Sequence, residues 1–150
     1  MKDEALYTTK EQSDALVKAG LKPSTADMHY KDYFNDGGWC ASLCYDEDDA
    51  KNGGDKYAPC WSGANLFALL PKKVYDDEFF YPIAMKVPDD GKAVLIEYEF
   101  LISFDGESLT EALCNAMLWV LVNTETKKDG IYVKGCQQFD EILINSMNNC

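Results

Sequence analysis

The stretch SLTEALCNAMLWVL, residues 108–121, decides the fold because it begins as a surface helix and ends as an apolar block. Ser108 and Glu111 form a capping box, which satisfies the free backbone amides at a helix start. We therefore predict a helix whose apolar stripe covers a β-sheet. The residues of that stripe recur at helical spacing and are Leu109, Ala112, Leu113, Ala116, Met117 and Val120.

The C-terminal half of this helix is apolar on more than one side. Trp119, Leu121 and Val122 widen the apolar arc beyond a single face, so this half needs a second cover. We predict that the C-terminal segment supplies this cover, with a strand at 131–134 and a terminal helix after Gly135. A dimer or partner surface is the alternative.

The segment FFYPIAMKVPDDGKAVLIEYEFLISFDG, residues 79–106, predicts two strands around a turn at 88–91. In the second strand one face is polar and the other is apolar, the apolar one formed by Val94, Ile96, Tyr98, Phe100 and Ile102. We therefore predict an α+β fold with a small antiparallel sheet and helices packed on one face. The sheet consists of a hairpin at about 79–104 plus one or two further strands.

A second helix is predicted within TTKEQSDALVKAGLKP, residues 8–23. Gly20 can adopt the left-handed conformation that ends a helix, and Pro23 prevents its continuation. The start carries two overlapping capping boxes, Thr8 with Glu11 and Thr9 with Gln12. A third helix is predicted at 59–71, where a proline stands near each end.

Length and composition indicate a single domain, residues 1–150. Hydrophobic residues make up 47% of the chain, well above the range in which chains stay disordered. Turn signals crowd residues 34–57, which we interpret as an excursion from the main fold with a short strand in WCASLCY at 39–45.

The chain is strongly acidic, with a formal net charge of −12 and lysine as its only strong base. Without arginine it lacks the planar group that binds phosphate and guanine in bidentate fashion, and its negative field repels nucleic acid and anionic membranes. We therefore expect a protein partner, with no direct binding of nucleic acid or membrane. The candidate acidic docking loop consists of Asp46, Glu47, Asp48 and Asp49. Acidity that serves only solubility is the alternative.

The compartment expected from the sequence is the cytoplasm. The first residues contain no apolar stretch of the length that a signal peptide needs, and no later segment is long and apolar enough to span a bilayer. The six cysteines are then expected to be reduced and to pack mostly as small hydrophobic side chains.

Residues with catalytic or metal-binding chemistry do not form a recognisable motif. His29, Cys40, Cys44 and Cys60 lack zinc-site spacing, and the acidic loop departs from the EF-hand pattern, although loose binding of divalent ions by the loop is left open. Cys60 lies near a predicted helix start, where a thiol can become nucleophilic, but a packed cysteine fits its context better. We predict no catalytic residue, cofactor or metal.

Glu97 and Glu99 share one face of a predicted strand, at a separation compatible with acid–base catalysis. On a solvated face nothing shifts the pKa of one carboxyl away from that of the other. We therefore interpret both as surface charges.

The blocks LYTTKEQSDALVKAGLKPSTADM, PCWSGANLFALLPK and SLTEALCNAMLWVL resemble a family of uncharacterised small proteins of gut bacteria and of their phages and mobile elements. Against the pattern of this family, residues 34–57 look like a loop-rich insertion and residues 125–150 like a C-terminal extension. The resemblance implies a small accessory protein, encoded by a mobile element, and transfers no activity or site residue. A shorter stretch, EYEFLISFDGESLTEALCNAMLWVL, resembles the strand-then-helix unit of HicB-type antitoxins.

Two function classes follow from the sequence. In the first, a non-enzymatic protein uses its acidic surface to bind a basic partner, as an inhibitor, an antitoxin or a nucleic-acid mimic does. In the second, a structural or interaction module binds its partner through apolar and aromatic surface, and the acidity serves solubility. A homodimer is compatible with both classes.

Overall fold

The structure is a computed structural model that describes residues 6–43, 56–87 and 94–134. Its helices are α1 (Lys10–Ala19), α2 (Gly63–Leu69) and α3 (Leu109–Asn123), with a short 3₁₀ turn at Pro23–Thr25. Its strands are β1 (Met28–Asp32), β2 (Trp39–Leu43), β3 (Tyr57–Cys60), β4 (Lys73–Tyr75), β5 (Phe80–Lys86), β6 (Val94–Tyr98), β7 (Ile102–Gly106), β8 (Thr124–Lys127) and β9 (Gly130–Val133).

The strands form two sheets, and the predicted α+β class is confirmed. The smaller sheet is antiparallel with the order β2-β1-β3, and the larger sheet has six strands in the order β7-β6-β5-β4-β9-β8. The larger sheet is wider than predicted. It is also mixed, because β4 and β9 pair in parallel whereas its other pairs are antiparallel.

Helix α3 lies at the centre of the core and is covered on two sides. It contacts β6 and β7 of the larger sheet, and it also contacts α1 and α2. Leu16 of α1, Leu66 of α2 and Ile96 of β6 are fully buried in one cluster with the apolar stripe of α3. Helices α1 and α2 therefore cover α3 in addition to the sheet, although the sequence predicted this cover from the C-terminal segment. The prediction that Val122 is shielded is wrong, because Val122 is 60% exposed.

The predicted C-terminal extension contributes the strand pair β8–β9 within the described residues. The strand expected at 131–134 is present as β9, and Val133 is buried in the core. The helix predicted after Gly135 lies outside the described residues. The acidic segment of the predicted insertion also lies outside them, whereas the strand expected at 39–45 is present as β2.

Helix α1 uses only one of its two predicted capping boxes. Thr9 accepts a hydrogen bond from the Gln12 amide, and the Gln12 side chain accepts one from the Thr9 amide. Thr8 is fully buried instead. Its hydroxyl lies 2.7 Å from Ser13 Oγ and accepts from the Trp61 amide at 3.1 Å. These bonds fix the start of α1 to the end of β3.

The predicted helix at 59–71 is wrong at its start. Tyr57–Cys60 forms strand β3, and helix α2 begins only at Gly63, with Ser62 as its N-cap. Ala58 and Cys60 are buried against Met28 and Tyr30 of β1, and this burial favours an extended conformation over a helix. Proline is tolerated at position 59 because β3 lies at an edge of the smaller sheet.

The long strand predicted through Phe100 is also wrong. Strand β6 ends at Tyr98, and the chain reverses in a tight turn in which the Leu101 amide donates to the Tyr98 carbonyl at 2.9 Å. Phe100, expected on the packed face, is 99% exposed and has a φ of 67°. The reversal lets Phe104 of β7 and Tyr98 of β6 both pack against Trp119 of α3.

Candidate interaction surface

The candidate acidic docking loop, Asp46, Glu47, Asp48 and Asp49, lies outside the described residues. Its role stays a prediction, as does the binding of divalent ions. The candidate interaction surface lies among the residues that the structure describes.

The candidate nucleophile Cys60 is a packed cysteine. It is fully buried at the end of β3, and burial raises the pKa of its thiol to about 11. Hydrogen bonds with Thr8 and Tyr30 lower the pKa by less than burial raises it. Burial likewise raises the pKa of the Cys114 thiol in α3 to about 11. At neutral pH both thiols are therefore protonated and poor nucleophiles.

Among the residues considered as zinc ligands, Cys44 lies outside the described residues, and the other three do not converge. The register of the smaller sheet places Cys60 opposite Met28 and Cys40 opposite Lys31, so the two cysteines lie on opposite faces. His29 is stacked on the Tyr57 ring with a centroid distance of 4.5 Å. Among residues 6–43, 56–87 and 94–134, no three histidine, cysteine or acidic side chains form a cluster that could hold a metal ion.

The carboxylate pair Glu97 and Glu99 is separated by the end of strand β6. Glu97 lies on β6 and forms an ion pair with Lys86 of β5, whereas Glu99 lies in the turn that follows. This ion pair raises the pKa of Lys86 above its ordinary value, with the hydrogen bond as the main cause. The Glu97 side chain is only 16% exposed, so the solvated face expected for it is partly covered, and its carboxylate is held by Lys86 rather than facing Glu99.

The face of the larger sheet that points away from α3 carries a row of aromatic side chains. Tyr75 pairs in register with Phe80 on one side and with Tyr132 on the other, so all three project from this face. Their neighbour Val74 is fully buried on the opposite face, in the cluster that includes α3. We call these three residues the aromatic row.

The aromatic row is held by ring contacts. Tyr75 and Tyr132 stack at a centroid distance of 5.3 Å, and Tyr75 lies 6.3 Å from Phe80. A side chain at Gly130 would collide with the Tyr75 ring, which a Cβ would approach to 2.8 Å. Lys73 Nζ lies 5.6 Å from the Phe80 ring centre, within range of a cation–π contact.

Three exposed phenylalanines stand at one end of this sheet. Phe79 precedes β5 and is 62% exposed, Phe80 is the first residue of β5 and is 60% exposed, and Phe100 occupies the β6–β7 turn. The Glu99 amide donates to the Pro82 carbonyl at 2.9 Å, which places that turn beside the first residues of β5. We call Phe79, Phe80 and Phe100 the phenylalanine end.

The β4–β5 turn that carries Phe79 is held by Asp76. One carboxylate oxygen of Asp76 accepts from the amides of Glu78 and Phe79 at 2.8 and 2.7 Å, and the other accepts from the Tyr81 hydroxyl at 2.5 Å. Burial alone would raise the pKa of Asp76, but these hydrogen bonds outweigh it and lower the pKa. The turn is therefore preorganised, with Phe79 in a fixed position.

Three further carboxylates surround the phenylalanine end. Asp77 and Glu78 belong to the β4–β5 turn, and Glu99 belongs to the β6–β7 turn. None of the three lies within ion-pair distance of a lysine in the part of the chain that the structure describes. Exposed aromatic and negatively charged groups are thus combined on one surface.

Sequence reasoning missed this surface, although its residues stand together in DDEFFY at 76–81 and EYEF at 97–100. The alternation of apolar and polar residues predicts Phe100 on the packed face, and for Phe79 and Phe80 the sequence pattern predicts only the start of a strand. A signal was present, because adjacent phenylalanines cannot both face one core from a regular strand.

Comparison of the chain with protein-family models, with curated proteins and with solved structures finds no match. The resemblances drawn from the sequence therefore stay predictions. None of the described helices combines the length and apolar character required to cross a membrane.

Proposed function

We propose that the protein is a non-enzymatic protein-binding module that docks on its partner through the phenylalanine end. The observation that carries this proposal is Phe100, which is 99% exposed and adopts a left-handed backbone conformation. Bulky residues rarely adopt this conformation, and strained residues of this kind cluster at functional sites.

The surroundings of Phe100 support the same function. Phe79 and Phe80 extend the exposed apolar surface, and Asp76 fixes the turn that carries them. A preorganised aromatic surface loses little conformational entropy on binding, and aromatic residues are enriched at protein interfaces. The raised pKa values of the Cys60 and Cys114 thiols support a role without nucleophilic catalysis.

The test is affinity capture with three tagged full-length proteins from a nuclease-treated lysate of the cells that encode the chain. They are the wild type, Phe100→Asn and Phe34→Ser. Phe34 is the matched control because it is 84% exposed but follows β1 of the smaller sheet. We expect a protein that the wild type and Phe34→Ser retain and Phe100→Asn loses. Identical captured proteins for all three would contradict the proposal.

The second candidate is binding through the predicted acidic loop, in an inhibitor, an antitoxin or a nucleic-acid mimic. The net charge of −12 and the absence of arginine favour it. Neutralisation of Asp46, Glu47, Asp48 and Asp49 to their amides should then release the partner, whereas Phe100→Asn should not. Binding by the loop alone should also weaken steeply as salt rises.

A further inference from the structure

The geometry points to a cationic amphipathic segment of another protein as the ligand of the phenylalanine end. In this complex, apolar side chains of the segment contact Phe79, Phe80 and Phe100, and its lysine or arginine side chains pair with Asp77, Glu78 and Glu99. The inference rests on the proposed function and adds the chemistry of the partner.

The apolar part of this recognition follows from the positions of the three rings. Phe79 ends the β4–β5 turn, Phe80 is the first residue of β5, and Phe100 lies in the β6–β7 turn. The hydrogen bond from the Glu99 amide to the Pro82 carbonyl at 2.9 Å joins the β6–β7 turn to β5. An amphipathic helix presents apolar side chains at a spacing of three and four residues, which forms a stripe rather than a single contact. Such a stripe can cover rings on both turns, whereas an isolated apolar side chain cannot.

The charged part of this recognition follows from which carboxylates at the phenylalanine end already have partners within the chain. Asp76 is occupied by the amides and hydroxyl that hold its turn, and Glu97 is paired with Lys86. Within the described ranges, Asp77, Glu78 and Glu99 have no lysine at ion-pair distance. A cationic partner would gain three opposite charges here, whereas an acidic or neutral partner would gain none.

One lysine of the chain lies at this end. The ammonium group of Lys73 lies 5.5 and 5.6 Å from the ring centres of Tyr75 and Phe80, whereas no cation–π contact reaches Phe79 or Phe100 within the described residues. Lys127 lies against Tyr132, at 4.8 Å from the ring centre, on the far side of the aromatic row. Negative charge therefore predominates around Phe79 and Phe100, and the complementary ligand is positive.

The probe for this inference is a synthetic peptide with leucine and lysine at amphipathic helical spacing. The control peptide has glutamate in place of every lysine. Binding to the full-length protein is measured by isothermal titration calorimetry at low and at moderate salt. The variant Asp77→Asn/Glu78→Gln/Glu99→Gln removes the three charges. The matched control is Glu11→Gln/Asp105→Asn/Glu107→Gln, which removes the same charge at exposed positions outside this end.

We expect the lysine peptide to bind the wild type and the glutamate peptide not to bind. Because exposed ion pairs are individually weak, loss of all three charges should weaken binding by roughly tenfold, and the matched control by much less. Phe100→Asn should weaken binding of the lysine peptide further.

Two results would overturn the inference and leave the proposed function standing. One is equal weakening in the two charge variants, which would mean that the peptide senses only net charge. The other is a concentration-dependent dimer of the wild type in sedimentation that Phe100→Asn abolishes, because a second copy would then occupy the phenylalanine end. Failure of Phe100→Asn to affect either peptide binding or captured proteins would overturn both proposals.

Discussion

Replacement of Phe100 by asparagine should make the protein more stable. A left-handed backbone costs an ordinary L-residue about 1–2 kcal/mol, whereas asparagine adopts it several times more readily. The Phe100 side chain is 99% exposed, so its removal returns almost no buried apolar surface to water. We expect the free energy of unfolding to rise by about 1 kcal/mol, and a gain of this size raises the melting temperature by about 2–4 °C.

Equilibrium unfolding in urea measures this change, provided that the slope of the transition stays constant. Two companion variants separate the backbone from the side chain. Phe100→Gly relieves the same strain but adds freedom to the unfolded chain, so its gain should be smaller. Phe100→Ala retains the strain and should stay within about 0.5 kcal/mol of the wild type. Destabilisation by Phe100→Ala of more than 1 kcal/mol, or no gain from Phe100→Asn, would refute the reasoning.

Three further predictions concern the core, the buried thiols and the β4–β5 turn. Thr8→Val leaves the buried Trp61 amide without its acceptor and should destabilise the fold by about 2 kcal/mol in urea unfolding; a change below 0.5 kcal/mol would contradict this. The thiols of Cys60 and Cys114 should resist Ellman's reagent at pH 8 in the native protein and react after unfolding. The pKa of both thiols is about 11 in the folded protein and lower in the unfolded chain, so only the unfolded chain ionises readily between these values. The free energy of unfolding should therefore fall as pH rises from 9 to 11. The pKa of Asp76 is lowered in the folded protein, so its ionised carboxylate stabilises the fold fully above the unfolded pKa, and this stabilisation is lost as pH falls through the folded pKa. In Asp76→Asn the free energy of unfolding should therefore fall less steeply as the pH is lowered through this acidic range.

The central helix and its packing against a β-sheet were largely predictable from the sequence. Ser108 accepts from the Glu111 amide, which is one half of the predicted capping box, whereas the Glu111 side chain accepts from the Glu107 amide instead of the Ser108 amide. Five residues of the predicted stripe are buried in the core, and Leu109 is partly buried. These signals are local, because capping and helical spacing involve residues within a few positions of one another. The cover formed by α1 and α2 was less accessible, since it depends on contacts between elements that are far apart in the chain.

The two turns that form the phenylalanine end could not be derived from local signals. Residues 98–101 contain no glycine, proline or asparagine, and the apolar alternation continues through them. The reversal lies between two residues that contact Trp119 of α3, Tyr98 before the turn and Phe104 after it, and such contacts join elements far apart in the chain. The parallel pairing of Tyr75 with Tyr132 is likewise a long-range contact that no local pattern encodes.

Two unfavourable features coincide on Phe100, and together they favour a bound state at the phenylalanine end. Phe100 exposes a large apolar side chain to water and also holds its backbone in a disfavoured conformation. The reversal itself does not need phenylalanine, because glycine or asparagine would form the same turn at lower cost. The ring makes almost no contact with the described residues, which supports the proposal that it contacts a partner. A partner that buries the ring would recover its hydrophobic free energy, about 1.5–3 kcal/mol for a fully buried phenylalanine, which is enough to offset the backbone strain of about 1–2 kcal/mol.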